Sequence, residues 1–243
     1  MFIVGLGHGF NHISLHGNCS AFRRQGYNLA MADNRNYSPA DQLIIGISHT
    51  LQTLFVRPSA RRNYPGKSED GELSEQDRQK SAGYMRVNHV GEICAQALYQ
   101  SQALTASDPA LRDKMRSAAA DENDHLAWCE QRLQELGSRK SYLNPLWYAG
   151  SFVIGAAAGI AGDKWNLGFV AETERQVVSH LDSHLARLPD GDQRSREVVA
   201  QMRQDEAEHA EMAVAAGAAI LPQVAKKTMG LTSSMMTRIA FWV

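Results

Sequence analysis

The pentapeptide Asp121-Glu122-Asn123-Asp124-His125 recurs as Asp205-Glu206-Ala207-Glu208-His209, the pattern D-E-x-[D/E]-H twice in one chain. Each copy follows a glutamate at a similar distance. Glu92 lies 30 residues before Glu122 (122 − 92), and Glu174 lies 32 before Glu206 (206 − 174). A separation near 30 is what two antiparallel helices of about twenty residues and a short turn produce. The chain therefore reads as two helical hairpins, each offering one Glu and then one Glu-x-x-His.

The remaining sequence agrees. Ser38-Pro39 opens a helix whose apolar residues are Leu43, Ile44, Ile47, Leu51, Leu54 and Phe55. A connector rich in breakers (Pro58, Pro65, Gly66) follows from Arg57 to Asp70. Periodic segments then run roughly over 75–105, 109–137, 142–162, 165–188 and 192–220, with a last piece from about 226. Asp108-Pro109, Asn144-Pro145, Pro189-Asp190-Gly191 and Leu221-Pro222 mark the joints. No alternating stretch is long enough for a strand, so the fold class is all-α.

Helical phase separates the motif carboxylates from surface charges. Glu122 shares its face with Leu111, Met115, Ala118, Leu126, Cys129 and Leu133, and Glu206 with Val198, Val199, Met202, Ala210 and Ala213. Glu174 lies on a stripe with Val170, Val177, Val178, Leu181 and Leu185, whereas Glu172, about 200° around the helix, reads as solvated. Glu92 has a mixed face. An ionised carboxylate in an apolar interior costs several kcal/mol even after relaxation, so it needs a proton, a cation or a metal. No Lys or Arg stands at i±3 or i±4 on the stripes of Glu122 and Glu174, but Arg203 precedes Glu206 by three and offers it a simple ion pair.

A histidine three residues after a glutamate points the same way, placing an oxygen and a nitrogen donor side by side. Two divalent cations match four glutamates in charge, and mixed carboxylate and imidazole donors suit iron or manganese better than structural zinc. Two single Glu plus two Glu-x-x-His is the ligand set of ferritin-like di-metal bundles. The expected ligands are Glu92, Glu122, His125, Glu174, Glu206 and His209, in a ferritin-like four-helix bundle. Asp121 and Asp205 are candidates for the carboxylates that accept each histidine's second N–H, each serving the opposite hairpin. His180 reads as a supporting or structural residue, not a ligand. His89, His184 and Cys94 carry no assigned role, and Tyr99 and Trp128 read as core.

A net charge of −1 argues against a nucleic-acid partner, which selects a basic surface. Three cysteines without a C-x-x-C pair suit a reducing compartment. Residues 1–40 lack helical periodicity. Their apolar start is too short for a secretory signal, and they read as a disordered upstream extension with Met31 as a start, ahead of a transit peptide. The domain is then 41–243.

Four segments together resemble the demethoxyubiquinone hydroxylases of ubiquinone biosynthesis: Arg86-Val87-Asn88-His89-Val90-Gly91-Glu92; the first D-E-x-x-H; Gly162-Asp163-Lys164-Trp165 leading to Glu172-Thr173-Glu174-Arg175-Gln176; and the second D-E-x-x-H. The resemblance runs from about residue 41 to the C-terminus. It implies a di-iron monooxygenase that uses O2 to hydroxylate the ring of a demethoxyubiquinol, drawing electrons from NADH or from the quinol, with the six ligands above. It also implies other ubiquinone-biosynthesis proteins as partners and a place on the cytoplasmic side of a bacterial cell membrane, ahead of a mitochondrial inner membrane. Some relatives carry His-Tyr where this chain has His180-Leu181, and a conserved role for that tyrosine does not transfer. Arg238 falls where relatives also have arginine.

A polyprenyl quinol lives in the bilayer, so membrane-facing helices are expected. The uncharged run Leu146–Ala161 is shorter than the ~20 residues needed to span, and reads equally as a buried crossover or a helix dipping into lipid. The first helix, with Arg57, Arg61 and Arg62 at lipid headgroups, is expected to lie in the interface, giving peripheral attachment. The alternatives are a ferritin-like hydroxylase for another apolar or RNA-borne substrate, an iron-handling bundle, and a metal-free scaffold.

Overall fold

The computed structural model describes residues 38–243, so the extension expected over residues 1–40 lies outside the described residues but for its last three. The chain divides into two units, residues 1–42 and 43–243. In the first, Ser38 caps the chain's first described helix: its Oγ accepts from Asp41 N at 3.2 Å, and its own N donates back to Asp41 Oδ2 at 2.9 Å.

The described residues form helices α1 (Pro39–Phe55), α2 (Glu75–Thr105), α3 (Pro109–Glu135), α4 (Asn144–Ile160), α5 (Asp163–Leu185), α6 (Gln193–Ala215) and α7 (Gln223–Ala240), with no strand among them. Local chemistry sets the boundaries. Ser74 accepts from Asp77 N at 3.1 Å, and Asp108 accepts from Ala110 N at 2.9 Å with Pro109 in the first turn. Asp192 likewise accepts from Ser195 N at 2.9 Å. Each cap satisfies an N–H that has no partner inside its helix.

The hairpins α2–α3 and α5–α6 pack through α3 and α6 into a helical bundle, and α4 lies along α2. Two apolar clusters fill the bundle at different heights. One holds Met85, Trp128, Cys129, Leu133, Leu181, Val198 and Met202, and the other holds Tyr99, Ala103, Leu111, Met115, Val170, Ala171 and Ala213. Along all four helices the glutamates 92, 122, 174 and 206 fall between these clusters. The polar layer is thus closed above and below by hydrocarbon.

Helix α4 covers most of the Leu146–Ala161 run and packs one side of it against α2. Gly155 and Gly159 face α2, because a Cβ on Gly155 would stand 2.9 Å from the carbonyl oxygen of Leu98, and one on Gly159 would stand 2.9 Å from Thr105 Cβ. On its other side Leu146, Val153, Ile154 and Ile160 are exposed. Gly162, with φ of 110°, then turns the chain into α5. Among the described residues no helix is long and apolar enough to cross a membrane.

Replacing Gly155 by Val should force α4 off α2, since a backbone carbonyl cannot yield as a side-chain tip can. The expected loss is about 1–3 kcal/mol, the usual range for overpacking. This corresponds to a fall in Tm of several degrees at roughly 2–4 °C per kcal/mol, read by thermal unfolding. An unchanged Tm would show that α4 does not lie against α2.

Candidate metal centre

The antiparallel hairpins bring the two repeated motifs face to face. One donor atom each from Glu92, Glu122, His125 and Glu206 lies within 4.8 Å of the other three, and all four residues are buried. Nδ1 of His125 stands 3.0 Å from Glu122 Oε2, 3.1 Å from Glu206 Oε1 and 3.7 Å from Glu92 Oε2. Nδ1 of His209 stands 3.2 Å from Glu122 Oε1 and 3.2 Å from Glu206 Oε2. Glu122 and Glu206 therefore each offer one oxygen to either histidine, in a near-twofold arrangement that follows the sequence repeat. Glu92 lies on the His125 side. Glu174 is 3 % exposed and accepts a 2.5 Å hydrogen bond from Tyr99 Oη; its charge acts on Glu206, Glu122 and His209.

The histidines' outer nitrogens face the aspartates of the opposite hairpin. His125 Nε2 lies 2.8 Å from Asp205 Oδ2, and His209 Nε2 lies 3.8 Å from Asp121 Oδ2. The 2.8 Å contact orients the His125 ring with Nδ1 toward the glutamates, where that nitrogen could serve a metal ion once its proton is displaced.

So many buried carboxylates at one level perturb one another's proton affinity. Burial pushes Glu92 and Glu174 well above the usual carboxylate range, and neighbouring glutamates add to it. Burial would raise Glu122 too, but hydrogen bonds from His125 and His209 outweigh it and hold Glu122 low. Burial disfavours a cationic His209, yet hydrogen bonds to and charges on Glu122 and Glu206 push it up to about 11. His125 moves up likewise against burial, through Asp205 and the three glutamates around it. Protons on these groups and metal cations compete for the same atoms.

Several expectations need correcting. Glu172 is not solvated: it is 9 % exposed and binds Lys226 Nζ of α7 at 2.9 Å and Gln176 Nε2 at 2.9 Å. Helical phase put it opposite the stripe correctly, but that side of α5 is covered by α7. Arg203 gives Glu206 no ion pair, because its Nε goes to Asp182 Oδ1 at 2.5 Å. Arg61 and Arg62, expected at headgroups, are paired with carboxylates of the two motifs. The connector between α1 and α2 lies across the motifs: Arg61 N donates to Asp124 Oδ1 at 2.6 Å and Arg61 Nη2 to Asp121 Oδ1 at 2.8 Å. Arg62 donates to Asp124 Oδ2 at 3.0 Å and to Asp205 Oδ2 at 2.8 Å. Arg57 bonds Gln134 Oε1 at 2.9 Å.

His180 does not converge with the cluster. Its ring lies against that of His184 with centroids 4.0 Å apart, and His184 Nδ1 is 2.8 Å from Asn88 Oδ1. Burial pushes His180 down to about 4 and His184 to about 2, so both stay neutral. Tyr99, read from the sequence as core, is core that also holds Glu174. Its place on the Glu92 face, seven residues on, was the available signal. Asp124 and Arg62 were missed because nothing in their spacing connects them.

An all-α bundle that buries six carboxylate and imidazole side chains on four helices, four of them in one tight group, defines a helical protein with an internal oxygen- and nitrogen-donor cluster that could hold a metal ion. Comparison with known proteins narrows this class. The family model described as ubiquinone biosynthesis protein COQ7 matches residues 79–240. Among curated relatives named 3-demethoxyubiquinol 3-hydroxylase, that of Nitrosospira multiformis is 56% identical over 204 residues, covering 84% of this chain and 98% of the relative. That of Dechloromonas aromatica is 55% identical over 202 residues (83% and 98%), and that of Nitrosococcus oceani is 52% identical over 213 residues (87% and 100%). The chain belongs to the COQ7 family.

The corrected place of Glu172 gives it a structural part to play. Glu172→Ala should leave the metal content unchanged but release Lys226 and loosen α7, lowering stability by about 1–2 kcal/mol. Thermal unfolding and metal analysis of one preparation check both halves. Loss of metal with Tm unchanged would contradict the assignment.

Proposed function

We propose that Glu92, Glu122, His125, Glu174, Glu206 and His209 hold two iron ions in a ferritin-like four-helix bundle, and that the chain is a monooxygenase that hydroxylates the ring of a demethoxyubiquinol in ubiquinone biosynthesis. The observation that carries this reading is the meeting of Glu92, Glu122, His125 and Glu206 in one buried group, with His209 against two of them and Glu174 buried between the same two apolar clusters, in a chain whose relatives bear a hydroxylase name over nearly their whole length.

The residues fit such a pair of ions. Glu92 Oε2 is buried 3.7 Å from His125 Nδ1 without a hydrogen-bond partner, an arrangement that proteins rarely leave uncompensated. Four glutamates balance two divalent cations, and both histidines turn Nδ1 toward the carboxylates. Glu92, Glu122 and His125 would serve one ion and Glu174, Glu206 and His209 the other, with Glu122 and Glu206 reaching both. Once bound, the irons would supply O2 activation and storage of the electrons, chemistry that belongs to the metal. Iron is assigned over manganese because ring hydroxylation by O2 calls for a metal that readily changes charge by one unit.

The protein's own share is positional. Asp205 orients His125, Asp121 stands farther off beside His209, Tyr99 steadies Glu174, and the clusters around Met202 and Met115 exclude water. In the overall reaction a ring C–H becomes C–OH. The second oxygen atom leaves as water with two protons and two electrons, which NADH or the quinol itself provides.

A polyprenylated quinol is reached from the bilayer. Ile47, Leu51 and Phe55 of α1 and Leu231, Met235 and Trp242 near the C-terminus expose apolar side chains of the kind that sit at a membrane surface. We therefore propose peripheral attachment to the cytoplasmic side of a bacterial cell membrane, beside other ubiquinone-biosynthesis proteins. Residues 41–243 form the hydroxylase domain in this reading, and residues 1–40 an extension.

The direct test supplies purified, iron-loaded protein with a short-tailed demethoxyquinol, a reductant and 18O2. One labelled oxygen atom in the product ring is expected; unlabelled or absent product would reject the assignment. Glu174→Ala should bring turnover below detection while the circular-dichroism spectrum keeps its helical content. Wild-type activity in that variant would remove Glu174 from the ligand set.

A further inference from the structure

The connector lays an arginine over the cluster that no sequence motif contains, and it touches both motifs. Arg62 Nε meets Asp124 Oδ2 at 3.0 Å, and Nη2 meets Asp205 Oδ2 at 2.8 Å and stands 3.2 Å from His125 Nε2. The guanidinium carbon lies 4.7 Å from the centroid of the Trp128 ring, whose plane is 5.4 Å from that of His125, centroid to centroid. Asp205 thus has two donors on one oxygen, the imidazole and the guanidinium. Asp124, with a side chain wholly buried, has the guanidinium and the Arg61 backbone N–H.

From this geometry we infer that Arg62 is a positioning residue for the half of the centre built on His125: its planar fork locks Asp205 in place, and Asp205 in turn holds His125 with Nδ1 toward the ion. The inference rests on the di-metal reading above. It gives the connector a purpose that a turn-rich loop would not otherwise need, and it makes the two halves unequal. In the other half Asp121 stands 3.8 Å from His209 Nε2, its own oxygen pairs with Arg61, and no guanidinium touches the histidine among the described contacts. The counterpart of Asp124 in the second motif, Glu208, is exposed.

A lysine could not reproduce this. An ammonium is a compact point charge, whereas the guanidinium presents donors in one plane at fixed angles to two carboxylates and stacks on an aromatic face. Supporting contacts of this kind typically carry 10–100-fold in metal affinity.

A cavity of about 570 Å³ opens beside the guanidinium, lined by Tyr64, Trp128 and Gln201 among others. It leaves room for a small guanidine to enter, and so offers a test by chemical rescue. The metal-free full chain is titrated with Co(II), read by its visible absorption and by calorimetry. The wild type is expected to bind two ions per chain. Arg62→Ala should lose about 10–100-fold in affinity for one of the two. Millimolar ethylguanidinium should restore it, and ethylammonium at equal concentration should not.

Arg62→Lys, which keeps the charge and guards against a folding defect in the alanine variant, should show a weakened site of the same kind. Undiminished binding of both ions in Arg62→Ala overturns the inference and leaves the di-metal reading standing. Equal loss of both ions, or weakened binding without guanidinium rescue, also overturns it, since a merely structural arginine would act that way. A wild type that takes up no Co(II) rejects the di-metal reading and this inference with it.

Discussion

Four carboxylates are set into the interior of a helical bundle at one level, and the rest of the structure is arranged around that choice. Two like charges a few ångströms apart in a low-dielectric interior repel strongly, and burial adds a cost for each ionised group. The chain answers with two imidazoles between the central pair of glutamates and with hydrocarbon clusters above and below. Burial shifts Glu92 and Glu174 toward the protonated form, and the two histidines hold Glu122 in the ionised form. A site with this distribution has a built-in demand for cationic charge. Neither apolar cluster has a polar group that supplies it, so the demand is met at the centre itself.

The sequence repeat produces near-twofold geometry at the ligands, and that symmetry ends one layer out. His125 has a close aspartate and a guanidinium, whereas His209 has a more distant aspartate that an exposed arginine also holds. The cause is the connector. A single strap between α1 and α2 can cross only one side of a two-hairpin bundle, and it is pinned along its length. Asp124 takes its start, Glu197 accepts from Lys67 N and Ser68 Oγ, and buried Arg132 binds Asp70 together with Asp192. Arg132 also receives Glu135 and Ser195, so the strap, α3 and the N-terminus of α6 share one satisfied polar network. A buried arginine with this many partners escapes the penalty that an unpaired one would carry.

What the sequence discloses is what periodicity carries. The helix boundaries at Asp108, Asn144 and Asp192 were legible because caps and prolines act on their own neighbours. Glu122, Glu174 and Glu206 could be told from surface charges because each shares its helical face with Val, Leu or Met. Even Glu92, whose face mixes Gln96 and Tyr99 with alanines, proved as buried as the others, since Gln96 turns its amide to the carbonyl of Ala119 at 2.6 Å. The failures share a cause. Glu172, Arg62 and Tyr99 take their parts from residues on other elements: Lys226 on α7, Asp205 on α6 and Glu174 on α5. No local pattern encodes those pairings. Phase reports which side of a helix a residue occupies, but not what covers that side.

The crossover makes the same point about composition. The last turn of α3 contributes to the Leu133 cluster and the first turns of α5 to the Leu167 cluster, so α3 ends and α5 begins at opposite ends of the bundle. The link must therefore travel the bundle's length, and seventeen residues of α4, at ~1.5 Å each, supply about 25 Å. Gly155 and Gly159 are explained by its close approach to α2, where no Cβ fits, and Tyr148 by its bonds to Thr50 Oγ1 and Gln100 Oε1. The exposed Val153, Ile154 and Ile160 are not explained by that packing, since a connecting helix with one solvated face would ordinarily carry charge there. Their apolarity calls for a reason outside the bundle. The proposed lipid surface, where a long-tailed quinol would be met, supplies one without requiring any helix to span it.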